Sequence, residues 1–167
     1  SAASDVYKRQ HFAQFYEYGG SWGRADPSAV ERDVAAARQI FERAVKVPFK
    51  RVDDLAEVWC SWAEMEVRNG HYDEALRVMS RATSPPSSHT KIQQISYYDD
   101  SLAPQSRLFK SLKLWAFYTD LEEALGTLES AKHAFDRILE LKIANAQTMI
   151  NFAMFLEEQE YYEDAFK

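Results

Sequence analysis

The chain has 167 residues, 46% of them hydrophobic, with five Gly and five Pro; that is enough apolar material for a core and too few turn residues for an all-β fold. Lys and Arg number 20 against 26 Asp and Glu, a net charge of −6, and an acidic surface opposes nucleic-acid binding that rests on neutralising phosphates. The single cysteine, Cys60, excludes an internal disulfide framework and fits a reducing compartment, and no apolar run approaches the roughly 20 residues of a membrane span.

In chain order, residues 1–10 (SAASDVYKRQ) share no pattern with the rest of the chain and read as a non-native leader. A first helix is expected over FAQFYEYGG from Phe12, ending at Gly20. A loop containing Gly23 and Pro27 follows, and then a helix over ARQIFERAV from Ala37, with Ser28 and Glu31 at capping-box spacing ahead of it. Pro48 separates that helix from the next, which Asp53 is placed to cap. There Trp59, Trp62, Met65 and Glu66 fall at i, i+3, i+6 and i+7, one face of a 3.6-residue period. Gly70 stands where a left-handed residue would stop the helix, and a second one follows over ALRVMSRAT from Ala75.

Residues 84–104, with Pro85, Pro86, Ser87, Ser88, Tyr97 and Tyr98, read as an inserted loop. It is expected to be mobile and dispensable for folding; the functional reading is a docking segment anchored by the two tyrosines. The pattern resumes with Trp115, Tyr118, Leu121 and Glu122, a stop at Gly126, and AKHAFDRIL from Ala131. A fourth unit starts with FAMFLEEQE from Phe152, and AFK from Ala165 begins its second helix before Lys167. The sequence thus reads as a piece of something longer, with seven helices, the start of an eighth, and no sheet.

Superposed, these segments form a repeat. Large residues coincide at Phe12, Trp62, Tyr118 and Phe152, small Ala leads each second helix, and Arg43, Arg81 and Arg137 share one register. Successive leading alanines (Ala37, Ala75, Ala131, Ala165) lie 38, 56 and 34 residues apart, the long interval holding the insertion. Units fall at about 11–47, 52–84, 105–142 and 145–167 within one array, 11–167. The two or three residues between paired helices force them antiparallel, and such a pair buries its apolar face only by stacking on the next. Glu66 and Glu122 are expected to pair with a second-helix arginine such as Arg43, Arg81 or Arg137.

No constellation for chemistry stands out. Glu122–Glu123 and Glu157–Glu158 are sequence neighbours that diverge by about 100° on a helix. His11, His71, His89 and His133 are scattered, without the clustering zinc requires. Cys60 has no nearby histidine, and no phosphate loop, serine elbow or HExxH occurs. Arg107, Lys110 and Lys113 form an i, i+3, i+6 stripe leading into the Trp115 helix; a solvated face is the plain reading, an acidic partner or an RNA backbone the functional one.

Trp59-x2-Trp62-x3-Glu66 followed by Gly70, Ala75 and Arg81, and Trp115-x2-Tyr118-x3-Glu122 followed by Gly126, Ala131 and Arg137, resemble HAT (half-a-TPR) repeats. The runs 52–83, 109–127 and 136–167 resemble the SYF pre-mRNA-splicing factor family, called XPA-binding protein in animals. The first and fourth units depart from the motif, with Tyr16 and Leu156 in the glutamate position. The resemblance implies an all-α, HAT/TPR-like, right-handed superhelical solenoid of antiparallel helix pairs. It implies a nuclear, non-catalytic scaffold of the spliceosome's nineteen complex, extending to transcription-coupled repair. Its partners would be other spliceosomal proteins, including another HAT-repeat protein, with RNA contact at most peripheral and no membrane, metal, cofactor or small-molecule substrate. The alternative is an RNA-binding helical-repeat protein of mRNA processing.

Overall fold

The computed structural model describes residues 27–87 and 91–165; the leader expected over 1–10 and the helix expected from Phe12 lie outside them. The described residues form seven α-helices and no strand. These are α1 (Pro27–Ala44), α2 (Val52–Arg68), α3 (Tyr72–Ala82), the single turn α4 (Pro104–Arg107), α5 (Leu112–Leu125), α6 (Leu128–Glu140) and α7 (Ala146–Ala165). Short 3-10 turns occupy Ile92–Gln94 and Leu108–Lys110.

Packing follows chain order, with α2 on α3, α5 on α6, and each pair against its neighbour through α1–α2, α3–α5 and α6–α7. One buried cluster joins α1, α2 and α3 to Leu108, Leu114 and Leu121. A second gathers Trp115, Ala131, Ala134, Phe135, Ile138 and Phe155. Tyr118 packs against both, so the two cores meet at α5. Neither pair closes its own apolar face, which is the physical basis of a stacked repeat.

The helix ends show where local signals hold and where they do not. After α2, Gly70 has φ 77°; its N–H donates to Val67 O at 3.0 Å, and His71 N–H donates to Glu66 O at 2.8 Å. That is a Schellman turn with glycine in the left-handed position. Gly126, expected to work the same way, has φ −90° and ψ −165° instead. Its smallness serves another purpose: a Cβ there would lie 2.7 Å from Ser130 Oγ and 2.9 Å from Glu122 O. Just beyond, Thr127 and Ser130 form a reciprocal capping box on α6.

Other expectations shift by a few residues. α1 is already helical at Ser28, so Ser28 lies within the helix instead of standing as a cap ahead of Ala37. The N-cap of α2 is Arg51, without a side-chain cap bond, and Asp53 lies inside the first turn, where a carboxylate favours the positive end of the helix dipole. α7 runs unbroken to Ala165, so the break expected before that alanine is absent; Glu160 to Ala165 offers neither Gly nor Pro to make one.

The repeat motif and a candidate interaction surface

Of the motif residues, Trp59, Trp62, Glu66, Ala75, Trp115, Glu122 and Ala131 are buried inside the stack. Trp59 and Trp62 are buried and stacked at 5.4 Å, and Trp62 stacks on Phe41 of α1 at 5.8 Å. Arg81 of α3 lies over both indoles, 5.4 and 5.3 Å from their centroids, while its guanidinium donates to Glu42 of α1 at 2.7 and 3.2 Å. One arginine therefore joins three helices by cation–π contact and ion pairing. Ala75 is fully buried where α3 crosses α2.

In the next unit Trp115 is buried, and its Nε1–H donates to Phe109 O at 2.6 Å. Tyr118 lies tilted against it at 5.8 Å. Burial, reinforced by Glu122, pushes the Tyr118 hydroxyl up to about 12. Ala131 is 1% exposed against this ring cluster.

The motif glutamates do not take the arginines expected from register. Glu66 is 1% exposed and accepts three bonds from Arg38, at 2.8 to 3.0 Å. His71 stands 3.8 Å from Glu66 and 3.4 Å from Glu31. Glu122 accepts from Ser130 Oγ at 2.5 Å. Arg81 instead serves Glu42, Arg137 pairs with Glu140 on its own helix at 2.9 Å, and Arg43 is exposed. Arg38 lies one α-helical turn and a residue before Arg43, so the sequence placed the right residue type on the right helix but chose the wrong turn of it.

Nothing in the described residues builds a reaction centre. Burial pushes the Cys60 thiol up to about 12, which removes its nucleophilic form. Glu157 and Glu158 are exposed and Glu122 is committed to Ser130. No three His, Cys, Asp or Glu side chains gather as a metal site among the described residues, and none of their helices is long and apolar enough to cross a membrane.

The Arg107–Lys113 stripe is also dissolved. Arg107 ends the short α4, Lys110 lies in a 3-10 turn and Lys113 is on α5, three elements in place of one helix. Arg107 is 6% exposed and donates to Tyr97 O at 2.9 Å and Leu102 O at 3.1 Å. Lys113 pairs with Glu57 at 2.7 Å.

Those bonds tie down the inserted segment, against the expectation of a mobile loop. Ile95 is 5% exposed, and the Tyr97 hydroxyl donates to Asp53 Oδ1 at 2.8 Å, clasping the start of α2. Burial and this bond push the Tyr97 hydroxyl up to about 12. Tyr98 sits edge-on to Tyr97 at 5.1 Å and is 82% exposed. Two hollows open beside it: one of about 690 Å³ toward the α6–α7 turn, the other of about 330 Å³ toward the start of α2. The Pro and Ser content suggests a loop without partners; the tyrosines are the one signal that it packs.

Paired helices stacked through shared cores, with an aromatic pair and a buried glutamate on the first helix and alanine on the second, define a HAT-type helical-repeat protein. Residues 3–167 match the family model described as Pre-mRNA-splicing factor Syf1/CRNKL1 C-terminal HAT repeat, and the chain belongs to that family. It is 55% identical to Pre-mRNA-splicing factor SYF1 of Mycosarcoma maydis over 94% of its length, 47% identical to the Homo sapiens protein of the same name over 93%, and 44% identical to the Drosophila melanogaster syf1 homolog over 93%. In each case the chain spans 16% of the relative's length.

Proposed function

We propose that this chain is part of a non-catalytic scaffold for pre-mRNA splicing in the nucleus, acting within the nineteen complex of the spliceosome. The observation that carries the reading is the family match over 3–167. The physical arrangement supports it: aromatic and charged motif residues are spent on joining helices, which leaves long outer faces for partners. Its partners are other spliceosomal proteins, among them a second HAT-repeat protein, and a part in transcription-coupled repair belongs to the same reading. RNA contact is peripheral, because the cations that favoured it are divided among three elements and Lys113 is held by Glu57.

The test is affinity capture of the full-length protein from nuclear extract, beside titration of the chain with single-stranded RNA at two salt concentrations. Recovery of spliceosomal proteins, with RNA binding that disappears at moderate salt, is expected. Tight, salt-resistant RNA binding without spliceosomal proteins would overturn the scaffold reading.

A further inference from the structure

We propose that the two hollows flanking Tyr98 form a docking surface for an acidic peptide segment of a partner protein, one that carries an aromatic or aliphatic side chain among its carboxylates. The inference deepens the scaffold reading and rests on it.

Charge is the first observation. The larger hollow is lined by Lys110, Lys142 and Lys113 against Glu140, with Lys113 already held by Glu57. The smaller is lined by Lys50, Arg51 and the buried Arg107 against Asp53 and Asp100, with Arg51 3.7 Å from Asp53. Cations thus outnumber carboxylates here on a chain whose net charge is −6. A local reversal of sign attracts an acidic segment and turns it toward this face.

The second observation is the backbone at Lys142. It has φ 59°. Its N–H donates to Leu139 O at 3.1 Å, and Ile143 N–H donates to Ile138 O at 3.4 Å. This is the same Schellman turn that follows α2, where Gly70 holds the left-handed position. A turn with only a structural task favours glycine. Here a lysine takes the disfavoured conformation, is exposed, lines the larger hollow, and forms no ion pair among the described residues. Strain retained at a surface cation points to a use for that cation.

The third is the apolar part. Tyr98 is exposed at the boundary between the hollows, held edge-on by Tyr97, which is itself fixed by Asp53. Leu112 and Ile143 line the larger hollow. An exposed tyrosine beside an apolar recess is a good anchor, because with only two rotatable side-chain bonds it loses little freedom on binding. A peptide fits better than RNA. Single-stranded RNA needs a continuous basic track, whereas Glu140, Asp53 and Asp100 interrupt the cations and the hollows are separate.

The experiment pans a displayed library of random peptides against the chain, then measures the enriched peptides and a single-stranded oligouridylate by fluorescence anisotropy. Enriched sequences are expected to set Asp or Glu around an aromatic or aliphatic residue. Tyr98→Ala and Lys110→Glu should each weaken their binding about tenfold, the scale of an interface anchor. Lys142→Gly separates recognition from folding: it should raise the thermal midpoint and yet weaken binding several-fold. No enrichment, enrichment of non-acidic peptides, or affinities unchanged in all three variants would overturn the proposal; oligouridylate binding abolished by the same variants would replace it with an RNA site. Capture of spliceosomal proteins by full-length protein stands apart from these results. If capture persists while the peptides fail, only the docking surface falls; if the peptides bind and capture fails, the scaffold reading falls.

Discussion

Glu66 and Arg38 show how much one residue's surroundings decide. The carboxylate is 1% exposed and depends on a guanidinium whose side chain is 33% exposed. Removing the arginine leaves a buried charge with His71 3.8 Å away. Arg38→Met is therefore expected to destabilise the chain by about 2–4 kcal/mol, read from denaturant unfolding. Arg38→Met combined with Glu66→Met should recover much of that loss, since the pair's desolvation cost disappears with it; an additive double variant would show that the two do not interact. Glu42 is a milder case. Its hydrogen bond from Arg81 holds the carboxyl below the ordinary value of 4.5. The folded state therefore prefers the ionised form, and the stabilisation is present above that value and lost as pH falls through the lower folded one. Both partners are partly exposed, so solvent screening should hold the effect to a few tenths of a kcal/mol up to about 1. Glu42→Gln should flatten that part of the stability–pH curve; an unchanged slope would exclude the pair as its source.

At the scale of elements, the helix crossings and the insertion behave differently from one another. Ala75 and Ala131 are 0% and 1% exposed, each where a second helix meets the first. Ala75→Trp and Ala131→Trp should overpack these crossings and cost on the order of 1–3 kcal/mol or more, lowering the thermal midpoint. The periodicity and the leading alanines make these positions readable from the sequence alone. The insertion is not readable in the same way. Its Pro and Ser suggest a free loop, yet Ile95 is buried, Tyr97 bonds to Asp53, and Tyr97 and Leu102 supply the carbonyls that satisfy buried Arg107. Replacing 91–103 with a Gly/Ser linker would orphan that guanidinium, so a loss of stability well beyond the small cost of loop closure is expected. Unchanged unfolding on replacement would restore the picture of a dispensable loop.

For the molecule as a whole, two cores meeting at α5 imply that the units unfold together, since Tyr118 belongs to both. The outer side of α7 remains apolar: Met149, Ile150, Met154 and Leu156 are 54%, 53%, 40% and 41% exposed. A patch of this kind drives association. Ile150→Lys with Met154→Lys should shift the chain toward monomer in sedimentation velocity while leaving the helical circular-dichroism signal intact; an unchanged distribution would place any self-contact elsewhere.

The sequence by itself determined the all-helical class, the pairing of helices, the apolar periodicity of their inner faces and the family. Those rest on local causes: a 3.6-residue period puts one face inside, and two or three linking residues leave an antiparallel pair as the only return path. Only the tertiary structure decided which arginine meets Glu66, that Gly126 is small to make room for Ser130 and Glu122, that Lys142 takes a glycine's conformation, and that the insertion packs. Each of these depends on distances between residues far apart in the chain or on one backbone angle. A period names the face a side chain points to, whereas its partner is chosen by the axial offset between helices, which exists only once they have docked.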